Sequence, residues 1–218
     1  MSKVLAVFDV DGVLVKEETQ KLLAQYLFLK GKISLSLFLK ITAWFVLYKL
    51  HLIKNTLPMR LQAYQAFHGW HEDAVHLIME DFFRDVVLSR ISQDVVRLVR
   101  GHQEKGDDVL LLSASLASVV ERLARHLNVS QWIATRLQIT NGCYTGDIAG
   151  DVPYGENKVK ALQEWLGKKP GYDRVCVYAD HISDLSLLEL AHEQKVVNPD
   201  DRLMALARQR GWTIHDFS

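Results

Sequence analysis

Short apolar, β-branched runs alternate with amphipathic stretches along most of this chain. The run from Val4 to Phe8 reads as a first buried strand. From about Arg90 onward the alternation becomes regular. An amphipathic helix from Gln93 to about Glu104 leads through Gly106 into a strand at Asp108-Val109-Leu110-Leu111-Leu112. A helix follows at Leu116 to Leu127, then one strand-like run from Trp132 to Ile139. Asn141-Gly142-Cys143-Tyr144-Thr145-Gly146-Asp147 is a hairpin signal. Next come a helix at Glu156 to Leu166, a strand at Arg174 to Tyr178 and a helix starting near Asp184. A short strand at Lys195 to Val197 and a helix from Asp200 to Gln209 complete the pattern. Such alternation predicts an α/β fold, a mostly parallel sheet covered by helices.

Between about Lys16 and Ser89 the texture is nearly continuous helix. Gly31, Pro58 and Gly69 are its only glycines and prolines, and they divide it into four helices. This reads as an all-helical cap, residues 16–89, inserted after the first strand of a core made of residues 1–15 and 90–218. Within it, Leu35 to Ile53 is apolar apart from Ser36, Lys40, Thr42, Lys49 and His51. Those polar residues scatter around a helical wheel, so the helix is either buried or faces lipid. Its length reaches that of a membrane span. A crossing here would put the two ends of the core on opposite sides of a bilayer, so the expectation is a buried cap helix. Its alternative is a surface that touches membrane or a lipidic substrate.

Composition narrows the class. The chain has 218 residues, enough for one large domain or one domain with an insertion. Lys plus Arg and Asp plus Glu both number 26, a balance that argues against a nucleic-acid binder. Two cysteines, Cys143 and Cys176, make no disulfide framework and suit a reducing cytosol. Met1-Ser2-Lys3 runs straight into the first strand and leaves no room for a signal peptide.

Chemistry enters with two pairs of aspartates. Asp9 and Asp11 follow the first strand, and Asp180 and Asp184 follow the strand ending at Tyr178. Carboxylates at the carboxyl ends of buried strands stand where an open α/β sheet keeps its ligand site. Clustered in this way they call for a hard cation, most plausibly Mg²⁺. If the chain stays extended, Asp9 and Asp11 point to one face. The plain alternative for each is a helix cap or turn carboxylate. Ser113 ends its strand just before a helix, and Ser115 fits the role of helix cap and is left outside the site. Lys158 stands near a helix start, where a lysine gains nothing from the helix dipole.

The order Asp9-Val10-Asp11-Gly12-Val13, Leu112-Ser113-Ala114-Ser115, Lys158, and Asp180 with Asp184 resembles the haloacid dehalogenase superfamily, in particular its phosphoserine phosphatase-like group with a helical cap. The resemblance covers nearly the whole length and implies a Rossmann-like core and Mg²⁺-dependent phosphomonoester hydrolysis. It implies that Asp9 is the nucleophile and forms an aspartyl-phosphate. Asp11 would be general acid and then general base. Mg²⁺ would be held by Asp9, the Asp11 carbonyl and Asp180. The Ser113 hydroxyl, the Ala114 amide and Lys158 would bind phosphate, and Asp184 would orient metal-bound water or Lys158.

The substrate is less defined. Glu18, in Lys16-Glu17-Glu18-Thr19, stands where phosphoserine phosphatases meet the substrate amino group, or else is a solvated glutamate at a helix start. His181 replaces a small residue of many relatives and either lines the pocket or satisfies a hydrogen bond. Tyr64 takes the place of a carboxylate-binding arginine, with Arg60 one turn earlier as its substitute. Ser113-Ala114-Ser115 departs from the serine-glycine-glycine of those enzymes. Trp44, Phe45, Tyr48, Phe67 and Trp70 point to a bulkier leaving group or to a cap core. The expectation is a small phosphorylated metabolite, phosphoserine or another amine-bearing monoester. The alternatives are a lipid phosphate, transfer to an alcohol instead of water, and a non-catalytic binding protein on the same fold. The oligomeric state has no sequence signature.

Overall fold

The computed structural model describes residues 3–49, 52, 57–169 and 171–217. Its elements are β1 (Val4–Phe8), α1 (Thr19–Leu29), α2 (Leu35–Lys49), α3 (Leu57–Tyr64), α4 (Glu72–Phe82), α5 (Gln93–Glu104), β2 (Asp108–Leu116) and α6 (Ala117–His126). They continue with β3 (Gln131–Thr135), β4 (Leu137–Thr140), β5 (Cys143–Ile148), α7 (Glu156–Leu166), β6 (Arg174–Ala179), α8 (Leu185–Leu190), β7 (Glu193–Val197), α9 (Asp201–Arg210) and β8 (Thr213–His215).

Six strands form one sheet in the order β3-β2-β1-β6-β7-β8, and every neighbouring pair is parallel. The central strand is apolar throughout because both of its faces are covered. Ala6 and Phe8 pack into one layer with α5 and α6, whereas Leu5 and Val7 pack into the other with α7, α8 and α9. β2 and β6 alternate in the same way, Val109 and Cys176 to the first layer, Leu110 and Val177 to the second. The chain leaves β1 on one side to build β2 and β3 and returns to its other side for β6. That reversal opens a crevice at the carboxyl ends of β1 and β6.

Local chemistry explains the element ends. The Asp200 carboxylate accepts from the Leu203 amide at 2.7 Å and starts α9, and Gly211 closes it in the left-handed region. Asn141 and Gly142, at φ 51° and 76°, form the two-residue turn of the β4–β5 hairpin.

Several expectations need correction. The run from Trp132 to Ile139 is two strands, parted at Arg136: β3 joins the large sheet and β4 turns away into the hairpin. β2 continues four residues beyond Leu112, through Ser113-Ala114-Ser115-Leu116. β8 carries too short an apolar signal to be read and adds an edge beyond β7.

The helical stretch between β1 and α5 packs around its own cluster of Ala24, Ile41, Trp44 and Phe45 and shares Leu22, Tyr26, Tyr64 and Phe82 with the core layer. α2 buries only one side: Ile41, Trp44 and Phe45 are covered, and Leu35, Leu39 and Val46 are exposed. The expectation of a buried cap helix therefore holds for one side of it only. No helix among the described residues is long and apolar enough to cross a membrane. Met1, Ser2, Leu50, His51 and Ile53 and the side chain of Tyr48 lie outside the described residues.

Candidate active site

The site grows from the loop after β1. The Asp9 amide still donates to the Tyr178 carbonyl at 3.0 Å, one residue beyond the strand pairing. The chain then folds back, with Val15 donating to the Val10 carbonyl and Gly12 to the Val15 carbonyl, both at 2.8 Å. Asp9 and Asp11 therefore leave an extended strand and sit on a tight loop, yet both line the same cavity. Gly12 adopts φ 76°, and a Cβ there would stand 1.9 Å from the Asp180 carboxylate. Only a glycine lets Asp180 lie so close to this loop.

Lys158 reaches in from the first turn of α7. Its ammonium, 2% exposed as a residue, donates to Asp9 at 2.8 Å and to Asp184 at 2.7 Å. Burial opposes its charge, but Asp184 and Asp9 outweigh that and raise its pKa. Asp184 makes no capping bond to the helix it precedes. Its Oδ2 is taken by Lys158, and its Oδ1 is buried without a hydrogen-bond partner. Burial pushes the Asp9 carboxyl up to about 7, with Lys158 pulling it down and Asp184 adding to the rise. Asp180 is raised well above the ordinary carboxylate value by burial and by the charges of Asp9 and Asp184.

Asp11 is held differently. Its Oδ1 accepts from the Thr19 amide at 2.9 Å and its Oδ2 from the Ser115 hydroxyl at 2.5 Å. Ser115 and Thr19 hydroxyls meet at 2.7 Å. Burial raises the Asp11 pKa, and the Ser115 and Thr19 hydrogen bonds restrain it. Ser115, expected to cap a helix, lies inside β2 and belongs to the site. The signal was available: serines two apart on a strand share a face, had the strand been carried past Leu112.

Ser113 is buried and accepts from the Ser115 amide at 3.0 Å, which leaves its proton free to donate. The β2–β3 ladder is irregular between Leu112 and Leu116, so this stretch bends over the cavity. Ala114 lines the cavity, and its carbonyl accepts from Thr135 at 2.7 Å and from Arg60 at 3.2 Å.

The helical stretch supplies the opposite wall with Glu18, Trp44, Phe45 and Arg60. Burial pushes Glu18 up to about 7, Asp11 adds to the rise, and Arg60 opposes it. Arg60, read as a substitute for a missing arginine, faces the cavity; Tyr64 touches Arg60 and accepts from Gln20 instead of lining it. His181 also lines it, but its Nδ1 accepts from the Ser183 amide at 3.1 Å and its Nε2 stands 3.3 Å from Asp200. Tyr154 and Ser183, unread in the sequence, complete the wall.

A buried lysine between two carboxylates, at the switch point of an open parallel sheet, marks an α/β enzyme. The family model of haloacid dehalogenase-like hydrolases matches residues 6–189, and the chain belongs to that family. It is 36% identical over 152 residues to a probable phosphatase of Mycobacterium tuberculosis, covering 69% of this chain and 52% of that one. It thus spans about half the length of that relative. With a histidinol-phosphatase of Neisseria meningitidis it shares 26% identity over 225 residues and 99% of both chains. Among solved structures, a Bordetella pertussis protein of unknown function superposes with a TM-score of 0.90 at 25% identity, over 99% of each chain. A phosphoserine phosphatase carrying a phospho-aspartyl intermediate analogue superposes at 0.69 with 18% identity, over 100% of this chain and 95% of that one, and shares the fold.

Proposed function

We propose that the protein is a Mg²⁺-dependent phosphomonoester hydrolase acting through an aspartyl-phosphate on Asp9, with a small amine-bearing ester as substrate. The observation that carries this reading is the 2.8 Å contact of the buried Lys158 with Asp9, beside an Asp11 held by separate donors. Two carboxylates in such different surroundings suit two different tasks. An Asp9 oxygen attacks phosphorus, the ester P–O bond breaks, and the Asp11 carboxyl gives its proton to the leaving oxygen. Water then attacks the phosphorus of the aspartyl-phosphate, Asp11 takes the water's proton, and the Asp9–phosphate bond breaks. Lys158 and the Ser113 hydroxyl neutralise and orient the phosphoryl oxygens.

The donor set fits Mg²⁺. Asp9, Asp11 and Asp180 line one cavity and would offer only a few oxygen ligands, which suits a cation that keeps several waters. Asp184 Oδ1 is a buried acceptor without a protein partner, and the carboxyl groups of Asp9 and Asp180 are raised by burial and by neighbouring carboxylate charge, which a cation would offset. Asp9, Asp180 and the Asp11 carbonyl would hold the ion. When bound, it offsets the charge repulsion between phosphate and nucleophile.

The cavity volume is about 40 Å³, room for a few waters and less than a phosphomonoester needs. The wall that carries Trp44, Phe45 and Arg60, within the cap of residues 16–89, therefore moves away to admit substrate and closes to exclude water. Glu18, on the cavity wall, would meet the amine. The relatives named for histidinol phosphate and for phosphoserine both act on esters of amino alcohols. A second reading, a lipid phosphate, draws on Phe45 and Val46, which flank a groove of about 300 Å³ leading to Glu18 and Asp180. The test is Mg²⁺-dependent phosphate release from phosphoserine, histidinol phosphate, phosphoethanolamine, lysophosphatidate and phosphatidylglycerophosphate. Wild type should prefer a soluble amine ester, and Asp9→Asn should be inactive. Preference for the lipids would replace the substrate assignment. Equal silence of both proteins on every ester would favour a binding role.

A further inference from the structure

The charge of this neutral chain is segregated. Seven lysines and arginines lie between Thr19 and His71 without a single Asp or Glu, so all 26 acidic residues stand elsewhere. The exposed side of α2 lies within that stretch. Leu35, Leu39 and Val46 are 56%, 54% and 52% exposed, and at 100° per residue they fall within about 40° of one another on the helix. Leu29 at the end of α1 and Leu52 beyond α2 are exposed as well. Lys30, Lys32 and Lys40 are exposed among these leucines, and no acidic side chain among the described residues pairs with them.

We propose that this α1–α2 corner seats on the surface of a bilayer rich in anionic lipid. Leucines set between lysines match the boundary between acyl chains and negative headgroups. Apolar surface alone would suit many partners; the exposed Lys30, Lys32 and Lys40, in a stretch without an acidic residue, select an anionic one. Val46 belongs both to this face and to the groove that also contains Glu18 and Asp180. Docking therefore turns the mouth of the site toward the headgroup layer. The inference rests on the surface alone and holds for either substrate class.

Flotation of the full chain tests it. The vesicles are phosphatidylcholine with about 30 mol % phosphatidylglycerol or phosphatidylcholine alone, in roughly 0.1 M and 0.5 M salt. The protein should float with the anionic vesicles at low salt, lose most of that binding at high salt, and stay behind with phosphatidylcholine alone. Lys32→Glu/Lys40→Glu and Leu35→Ser/Leu39→Ser should each weaken partitioning at least about tenfold. Their melting by circular dichroism should match wild type, because all four side chains are exposed. Wild type left behind by anionic vesicles, or both variants floating like wild type, would overturn the proposal. So would a wild-type dimer that Leu35→Ser/Leu39→Ser converts to monomer, which makes the face a contact between copies.

Discussion

Ser115 and Asp11 illustrate how one hydroxyl sets the working range of a carboxyl group. Burial raises the Asp11 pKa, and the Ser115 hydrogen bond lowers it. Ser115→Ala should raise it further. In the proposed mechanism Asp11 gives its proton to the leaving group, so the alkaline limb of kcat/KM should move to higher pH, and kcat should fall about 10- to 100-fold. A pH–rate profile of wild type and variant checks both. Glu18 supplies a stability prediction. Its folded pKa, about 7, exceeds the ordinary 4.5, so the folded state holds a proton that the unfolded state has lost between those values. Stability from this group is present below 4.5 and disappears as pH rises through 7. In metal-free protein Glu18→Gln should therefore raise stability by roughly 1–3 kcal/mol at pH 8 and little at pH 4.5. Urea denaturation at the two pH values measures this. At the residue scale Asp9, Asp11, Lys158 and Asp180 were legible because each stands next to a short, strongly patterned element. Arg60, Tyr154 and Ser183 were hidden, or half hidden, because tertiary packing of other elements turns them toward the cavity.

Elements carry the next set of constraints. The loop after β1 works because Gly12 leaves space for Asp180. Gly12→Ala should cost about 1–3 kcal/mol and lower phosphate release more than about tenfold, because the methyl displaces the Asp180 carboxylate and the backbone stays at positive φ. Thermal melts and kinetics on the same preparation separate the two effects. The Asn141-Gly142 hairpin was readable because turn chemistry is local. The split of the Trp132 to Ile139 run was not: Arg136 carries no turn signal, and only the available sheet edge decides where β3 stops. α2 was half legible for a related reason. Its composition states how apolar it is, whereas its packing partners decide which side is covered.

For the molecule as a whole, alternation of helix and strand was enough to announce a parallel sheet, since a parallel pair needs a crossover. The strand order that brings Asp9 beside Asp180 came only with the structure. That crowding of carboxylates predicts a metal-dependent stability. At about 100 times its Kd, Mg²⁺ should add ~2.7 kcal/mol and raise Tm by about 5–10 °C near pH 7.5. Asp180→Asn should abolish most of that rise, as differential scanning calorimetry would show.

β1 pairs with β2 on one side and with β6 on the other, and these partners lie about a hundred and then about 170 residues further along the chain. A ribosome therefore releases the first strand long before its second neighbour exists. Until Arg174–Ala179 emerges, the nascent chain holds a fully apolar strand with one open edge, a site for mispairing. Asp9 and Asp180 of the candidate site remain apart for the same interval. Chemistry and protection from aggregation thus arrive together, with the insertion of a single late strand.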